Sequence, residues 1–218
     1  MSIKENIEII KRELPSTVKL VAVSKFISNE AIMEAYNAGQ RDFAESRPQE
    51  LARKFEELPS DINWHFIGHL QTNKIKLIID KVSLFHSVDS LRLLSELNIA
   101  AKKSGITVNI LLQEHISNED TKQGFLHSEM AQAAELSLAL SNLKVCGLMG
   151  MASFVEDKDT IRKEFICLRE SCKTIKESFF SDSSAFTELS MGMSSDYKIA
   201  KEEGSTLIRV GTLIFGNR

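Results

Sequence analysis

The amino-acid sequence predicts a single (β/α)8 barrel, an α/β fold. Short runs rich in β-branched and apolar residues alternate with amphipathic helical stretches, and eight such pairs can be marked along the chain. Strands that alternate with helices imply a parallel sheet. Eight units in roughly 200 residues suit a barrel at the short end of its size range. No linker rich in Gly, Pro or Ser interrupts the series, and the chain holds only three prolines. A doubly wound open sheet is the competing arrangement. It would need a Gly-rich turn after the first strand to hold a dinucleotide, and VSKFISNE at 23–30 contains no glycine.

A short helix is expected at the N-terminus. Residues 18–25 (VKLVAVSK) form the first strand run. Ser28, Asn29 and Glu30 open a helix that Gly39 closes. The second strand run is 41–45, followed by a charged helix to about Leu58. The third run is 63–68 (NWHFIG) and the fourth is 82–88 (VSLFHSV), with a Lys-rich helical segment at 73–81 between them. Residues 90–104 read as a helix with Leu91, Leu94, Leu97 and Ala101 near one face and Gly105 as its stop. The fifth run, 106–113 (ITVNILLQ), is the most strand-like of all. An Ala/Leu-rich helix at 128–141 leads to the sixth run, 143–149, and a long helix covers 159–178. Runs seven and eight, 186–191 and 206–210, flank a short helix at 195–203.

Composition narrows the function classes. The 218 residues are 43% hydrophobic and 26% charged, which fits a globular chain able to bury a core and excludes a disordered or collagen-like one. A net charge of -3 gives no field that would attract nucleic acid or an anionic membrane. No apolar run approaches the roughly 20 residues that span a bilayer. The opening MSIKENIEIIKREL lacks the apolar centre of a signal peptide. Three cysteines, Cys146, Cys167 and Cys172, are too few for a disulfide framework and suit a reducing compartment, so a cytoplasmic location is expected. A monomer is expected too, because no long apolar stripe is left once the helices cover the barrel.

Barrel active sites gather at the C-terminal ends of the strands. Lys25 closes an otherwise apolar run, where a partly desolvated ammonium would have a lowered pKa and could form a Schiff base. It could equally snorkel to the rim or pair with a carboxylate such as Glu45. The loops after strands seven and eight, where this fold often binds phosphate, read SMGMSSD and RVGT. Ser194 sits where the N-cap of the 195–203 helix belongs, and that helix's free N–H groups would favour a phosphate. Gly211 permits close backbone approach, and Thr212 adds a hydroxyl and an N–H. The same positions equally suit a Ser194 that only caps its helix and a Gly211 that only ends its strand. Alternation places Arg209 and Leu207 on one strand face, with Ile208 and Val210 on the other. An inward Arg209 needs a carboxylate, a backbone oxygen or a ligand acceptor. His65 and His69 have a metal spacing only on a helix, and they lie in a strand-like run, so metal is not expected. Cys167 and Cys172 are expected to be packing residues. Lys74, Lys76 and Lys81 read as a solvated helix face.

With those residues in place, the chain resembles the pyridoxal 5'-phosphate (PLP) homeostasis proteins, small relatives of the barrel domain of alanine racemase. The resemblance rests on LVAVSK (20–25), WHFIGHLQTNK (64–74), HSVDS (86–90), GLMGM (147–151), LSMGMSSD (189–196) and GSTLIRVGTLIFGNR (204–218). It implies an alanine racemase N-terminal-like barrel over 1–218 with PLP held as an imine on Lys25. The phosphate would lie near Ser194, Gly211 and Thr212, and Arg209 would face the pyridine nitrogen. Met149, Ser190 and Met191 match positions near the ring. Relatives usually read Phe-Gly-Glu-Asn where this chain has Phe43, Ala44, Glu45 and Ser46, so a hydroxyl stands where an Asn usually nears the cofactor. A usual Gln-Val-Asn reads Gln113, Glu114 and His115. The expected function is reversible PLP binding in intracellular homeostasis, as a buffer or a donor to PLP-dependent apo-enzymes, without robust turnover. An arginine at the ring nitrogen and the lack of a following domain to supply a second base both favour a carrier over the rival, a slow amino-acid racemase. A Schiff-base lyase or aldolase acting on a sugar phosphate is the third reading.

Overall fold

Eight parallel strands close on themselves in chain order in a computed structural model that describes residues 1–117, 119 and 123–216. The last two residues of the resembling 204–218 stretch lie outside the described residues. The strands are β1 (Lys19–Val23), β2 (Asp42–Glu45), β3 (Asn63–Phe66), β4 (Leu84–Val88), β5 (Val108–Gln113), β6 (Leu143–Met149), β7 (Glu188–Ser190) and β8 (Leu207–Val210). The helices are α1 (Ile3–Glu13), α2 (Asn29–Asn37), α3 (Pro48–Glu57), α4 (Leu91–Lys103), α5 (Met130–Leu138), α6 (Lys158–Phe179), α7 (Tyr197–Glu202) and α8 (Thr212–Phe215). The barrel closes where Lys19, Leu20, Val21 and Ala22 of β1 pair with Leu207, Ile208, Arg209 and Val210 of β8. The expected barrel is therefore the observed fold.

Local chemistry explains where the helices begin. Ser2 caps α1 in a reciprocal box with Glu5, Ser28 caps α2 by accepting from the Ala31 N–H, and Ser90 caps α4 through the Leu93 N–H. Pro48 opens α3, where its missing N–H costs nothing. Asp157 caps α6.

Strand alternation splits the apolar residues into two layers. Val21, Val23, Ala44, Leu84, Leu111, Met149 and Leu207 fill the inside of the barrel. Their strand neighbours, such as Leu20, Phe43, Phe66, Ile110, Leu148 and Ile208, pack outward against the helices.

Several boundaries differ from expectation. Lys25 lies in the turn beyond β1 rather than at the strand's end. The 73–81 segment is not an α-helix but a 3-10 turn over Thr72–Leu77, with Ile75 buried inside it and Ile78 and Ile79 buried just past its end, in a connection too brief for a full helix. The short helix before β8 starts at Tyr197, two residues past the expected start. A further single-turn helix, α8, follows β8 where only a loop was expected.

Candidate cofactor-binding site

Parallel strands bring all their C-terminal ends to one mouth. Lys25 lies just past β1, Ser46 just past β2, Gly211 just past β8, and Met149 and Ser190 end β6 and β7. Val23 is the last residue of β1, and its carbonyl oxygen would lie 3.2 Å from a Cβ added at Gly211, so the ends of β1 and β8 are neighbours.

The Lys25 turn is held from α3. Lys54 is fully buried and donates to the Ser24 carbonyl oxygen at 2.8 Å, to Glu45 Oε1 at 2.9 Å and to Glu50 Oε1 at 2.7 Å. Ser24 Oγ donates to the same Glu45 oxygen at 2.6 Å, and the Phe26 N–H donates to Glu50 Oε1 at 2.8 Å. The peptide groups on both sides of Lys25 are thereby tied to one buried ion cluster. Phe26 has φ 64°, a left-handed conformation costly for a bulky residue, and its ring lies 4.4 Å from the Arg47 guanidinium. Lys25 itself is half-buried. Glu45, the carboxylate considered as its partner, is engaged by Lys54 and Ser24 instead. Burial pushes the Glu45 carboxyl above its usual range, against the pull of Lys54 and Ser24.

Arg209 points into the barrel as alternation requires, with only 4% of its surface exposed. Nη1 donates to Ser190 Oγ at 2.5 Å and Nη2 to the Gly150 carbonyl oxygen at 3.0 Å. Burial lowers its pKa to about 10, with Asp196 working the other way, so it stays charged at neutral pH. Ser190 is fully buried and also contacts His86 Nδ1 at 2.9 Å. His86 Nε2 meets His65 Nδ1 at 2.8 Å, and His65 Nε2 meets Asp42 Oδ1 at 3.2 Å. Neither histidine was assigned to the site from sequence. Each occupies an inward position in a short apolar strand, where a polar ring needs partners. Those partners come from strands distant in sequence, so only the inward parity was legible.

The expected phosphate residues meet at this end. The Gly211 N–H donates to Ser194 Oγ at 3.3 Å, which joins the loops after β7 and β8. Ser194 does not cap α7, because Asp196 occupies the cap position and accepts the Met193 N–H at 2.5 Å. The Thr212 and Leu213 N–H groups open α8 with no carbonyl one turn behind them, and both residues are exposed. Met149 faces the barrel interior, whereas the Met191 side chain lies in the outer layer, leaving only its backbone toward the mouth. Ser46 is half-buried against Gly68, where an added Cβ would lie 2.2 Å from the Ser46 carbonyl oxygen, so only glycine fits. Glu114 is buried and accepts from His127 Nδ1 at 2.7 Å, away from the Lys25 side. His115 Nε2 meets the Glu119 carbonyl oxygen at 3.1 Å. Cys172 packs on the outer layer, with burial raising its thiol pKa to about 11; Cys167 is exposed, contrary to the packing role expected of it.

A closed eight-stranded barrel with a lysine turn, an inward arginine and open N–H groups at one mouth defines the class. The chain belongs to the pyridoxal phosphate homeostasis proteins of the alanine racemase N-terminal domain family, whose pattern matches residues 1–218. It is 40% identical over 201 residues to a pyridoxal phosphate homeostasis protein of Aquifex aeolicus, covering 92% of this chain and 87% of that one. A protein of the same name from Synechocystis is 40% identical over 207 residues, covering 94% of each. The structure of PipY from Synechococcus elongatus without PLP superposes with TM-score 0.93 at 35% identity, over 99% of this chain and all of that one. The PLP-bound structure of PipY gives TM-score 0.85 at 34% identity, with the same coverage. Alanine racemase of Clostridium difficile, at 15% identity and TM-score 0.79, shares the fold over 57% of its length. No helix among the described residues is long and apolar enough to cross a membrane.

Proposed function

We infer that this chain binds PLP reversibly through Lys25 and serves the homeostasis of that cofactor, buffering or delivering it rather than turning over a substrate. The names of the relatives and the PLP-bound PipY structure support the ligand. The residues at the mouth fit it chemically. The open N–H groups of Thr212 and Leu213, with the Ser194 hydroxyl, suit a phosphate. Arg209 has five N–H donors, and bonds to Ser190 and Gly150 leave others for a ring nitrogen. Lys25 supplies the amine. When bound, the cofactor would supply an aldehyde with which this amine could condense, releasing one water.

The buried Arg209 is the single observation that carries the choice between carrier and catalyst. A pyridine ring withdraws electrons strongly only when its nitrogen is protonated. Arg209 keeps its own proton and can only donate, so it would leave a ring nitrogen beside it unprotonated and would give the ring little power to withdraw electrons. What this chain's residues do well is bind and orient.

Spectroscopy tests the reading. PLP added to the purified protein should give a visible absorption band, and Lys25→Ala should abolish it. Borohydride reduction followed by mass measurement should place a pyridoxyl group on Lys25. A band that persists unchanged in Lys25→Ala defeats the assignment. Exchange of solvent deuterium into the α-position of alanine, at about 1 per second or faster, would replace the carrier with a racemase.

A further inference from the structure

A hydrogen-bonded chain crosses the barrel from one mouth to the other. It runs from Asp42, the first residue of β2, through His65 of β3, His86 of β4 and Ser190 of β7 to Arg209 of β8. The distances are 3.2, 2.8, 2.9 and 2.5 Å. His65 and His86 are both buried, and neither is needed to bind the phosphate or the aldehyde.

The chemistry of the two ends sets the direction of every bond. Burial opposes the charge on Asp42, but the His65 hydrogen bond and the nearby Lys19 charge hold its pKa below the usual carboxylate value. An ionised carboxylate only accepts, so His65 must donate through Nε2. In neutral His65 the other nitrogen, Nδ1, is then an acceptor and takes the Nε2–H of His86. His86 Nδ1 is left as an acceptor and takes the hydroxyl proton of Ser190. Both Ser190 lone pairs are thus free, and one accepts from Arg209. Burial first, with the Arg209 charge acting the same way, holds the His86 pKa well below its ordinary value, which keeps this ring neutral.

We propose that His65 and His86 are positioning residues: anchored by Asp42, they turn the Ser190 hydroxyl into an acceptor for Arg209 and so aim the remaining guanidinium N–H groups at a ligand's ring nitrogen. The proposal rests on the PLP reading above. It assigns a function to the lower half of the barrel interior, remote from Lys25. The groups that face these rings are Lys19 and Asp42 from β1 and β2, Lys144 and Cys146 from β6, Glu188 from β7 and Arg209 from β8.

Nitrogen NMR of the full chain labelled with [15N]histidine reads the tautomers directly, in the protein without ligand. Both His65 and His86 should carry their proton on Nε2 near neutral pH. Asp42→Asn replaces an obligatory acceptor with an amide that can also donate, so it should mix the tautomers. It should also weaken PLP binding about tenfold, as expected for losing one aligned charged hydrogen bond, although Asp42 lies at the opposite mouth. His86→Leu should weaken binding similarly, and should add nothing once Ser190→Ala is present. A proton on His86 Nδ1 at neutral pH overturns the proposal. So do PLP titrations of Asp42→Asn that superimpose on those of the parent chain, or His86 and Ser190 effects that simply add. Should His86→Leu fail to fold, Asp42→Asn and the NMR decide alone. If the unaltered chain fails to bind PLP, it is the parent reading that fails, and the tautomers still report whether the chain is polarised.

Discussion

Lys54 and His86 show how single buried polar residues hold this mouth together. Lys54 has no exposed side-chain surface and bonds two carboxylates and the Ser24 carbonyl oxygen. Lys54→Met would leave Glu45 buried beside no cation, a loss that typically costs about 3–5 kcal/mol. Urea denaturation should show a fall of that order, and PLP affinity should fall with it, because the turn on both sides of Lys25 loses its anchor. His86 makes a separate, pH-dependent contribution. Its folded pKa lies well below the ordinary 6.5, so below pH 6.5 the unfolded chain takes up a proton that the folded chain refuses. Stability from this residue is therefore complete above that pH and is lost as pH falls, by about 1.4 kcal/mol per pH unit. Denaturation measured across that range should show an acid limb that His86→Leu flattens. Lys25, Arg209, Ser194 and Gly211 stand out in the sequence because each is a local anomaly: a cation at a strand end, a cation among apolar residues, a hydroxyl or a glycine in the loops after the last two strands. Lys54 does not, because a lysine in a charged helix looks solvated until tertiary packing turns it inward.

At the scale of elements, strands were easier to place than the connections between them. Two-residue alternation and β-branched runs mark β1, β5 and β8 directly. The lysines of the 73–81 segment suggest a solvated helix, but Ile75 in the 3-10 turn and Ile78 and Ile79 just past it are pulled into the core. The α7 boundary moved because Asp196, rather than Ser194, holds the turn, freeing the Ser194 hydroxyl to join β8. Strand β6 depends on one backbone position that composition does not reveal. Its pairing with β5 shifts register just before Gly147, whose φ is 149°. A Cβ there would lie 1.7 Å from the Glu188 carbonyl oxygen of β7. Gly147→Ala should therefore break the β6–β7 pairing, with a loss of more than about 3 kcal/mol or failure to fold. A well-folded alanine variant with unchanged urea midpoint would show that β7 can retreat.

Closure makes the whole molecule one unit. Opening any of the eight strand pairs would expose two sheet edges and the buried inner layer, so no β/α unit can leave alone. The N-terminal helix reinforces this by bridging to the helices that follow β7 and β8. Asn6 Nδ2 donates to the Ile214 carbonyl oxygen at 3.0 Å, the Tyr197 hydroxyl to Glu13 Oε2 at 2.7 Å, and Lys201 Nζ to the Glu13 carbonyl oxygen at 2.8 Å. Helix α1 thus reaches α7 and α8 from the far end of the chain. Two consequences can be measured together. Fluorescence of Trp64, the sole tryptophan, and far-UV circular dichroism should trace one coincident unfolding transition, since Trp64 is buried in the outer layer against Phe43. Saturating the folded state with PLP at about one hundred times its dissociation constant should add about 2.7 kcal/mol and raise the midpoint by roughly 5–10 °C. Removing residues 1–14 should lower the midpoint and weaken PLP binding, because the segments bearing Ser194, Gly211 and Thr212 lose their brace while Lys25 remains. A truncated chain that binds PLP as tightly as the intact one would show that the mouth is organised by the barrel alone.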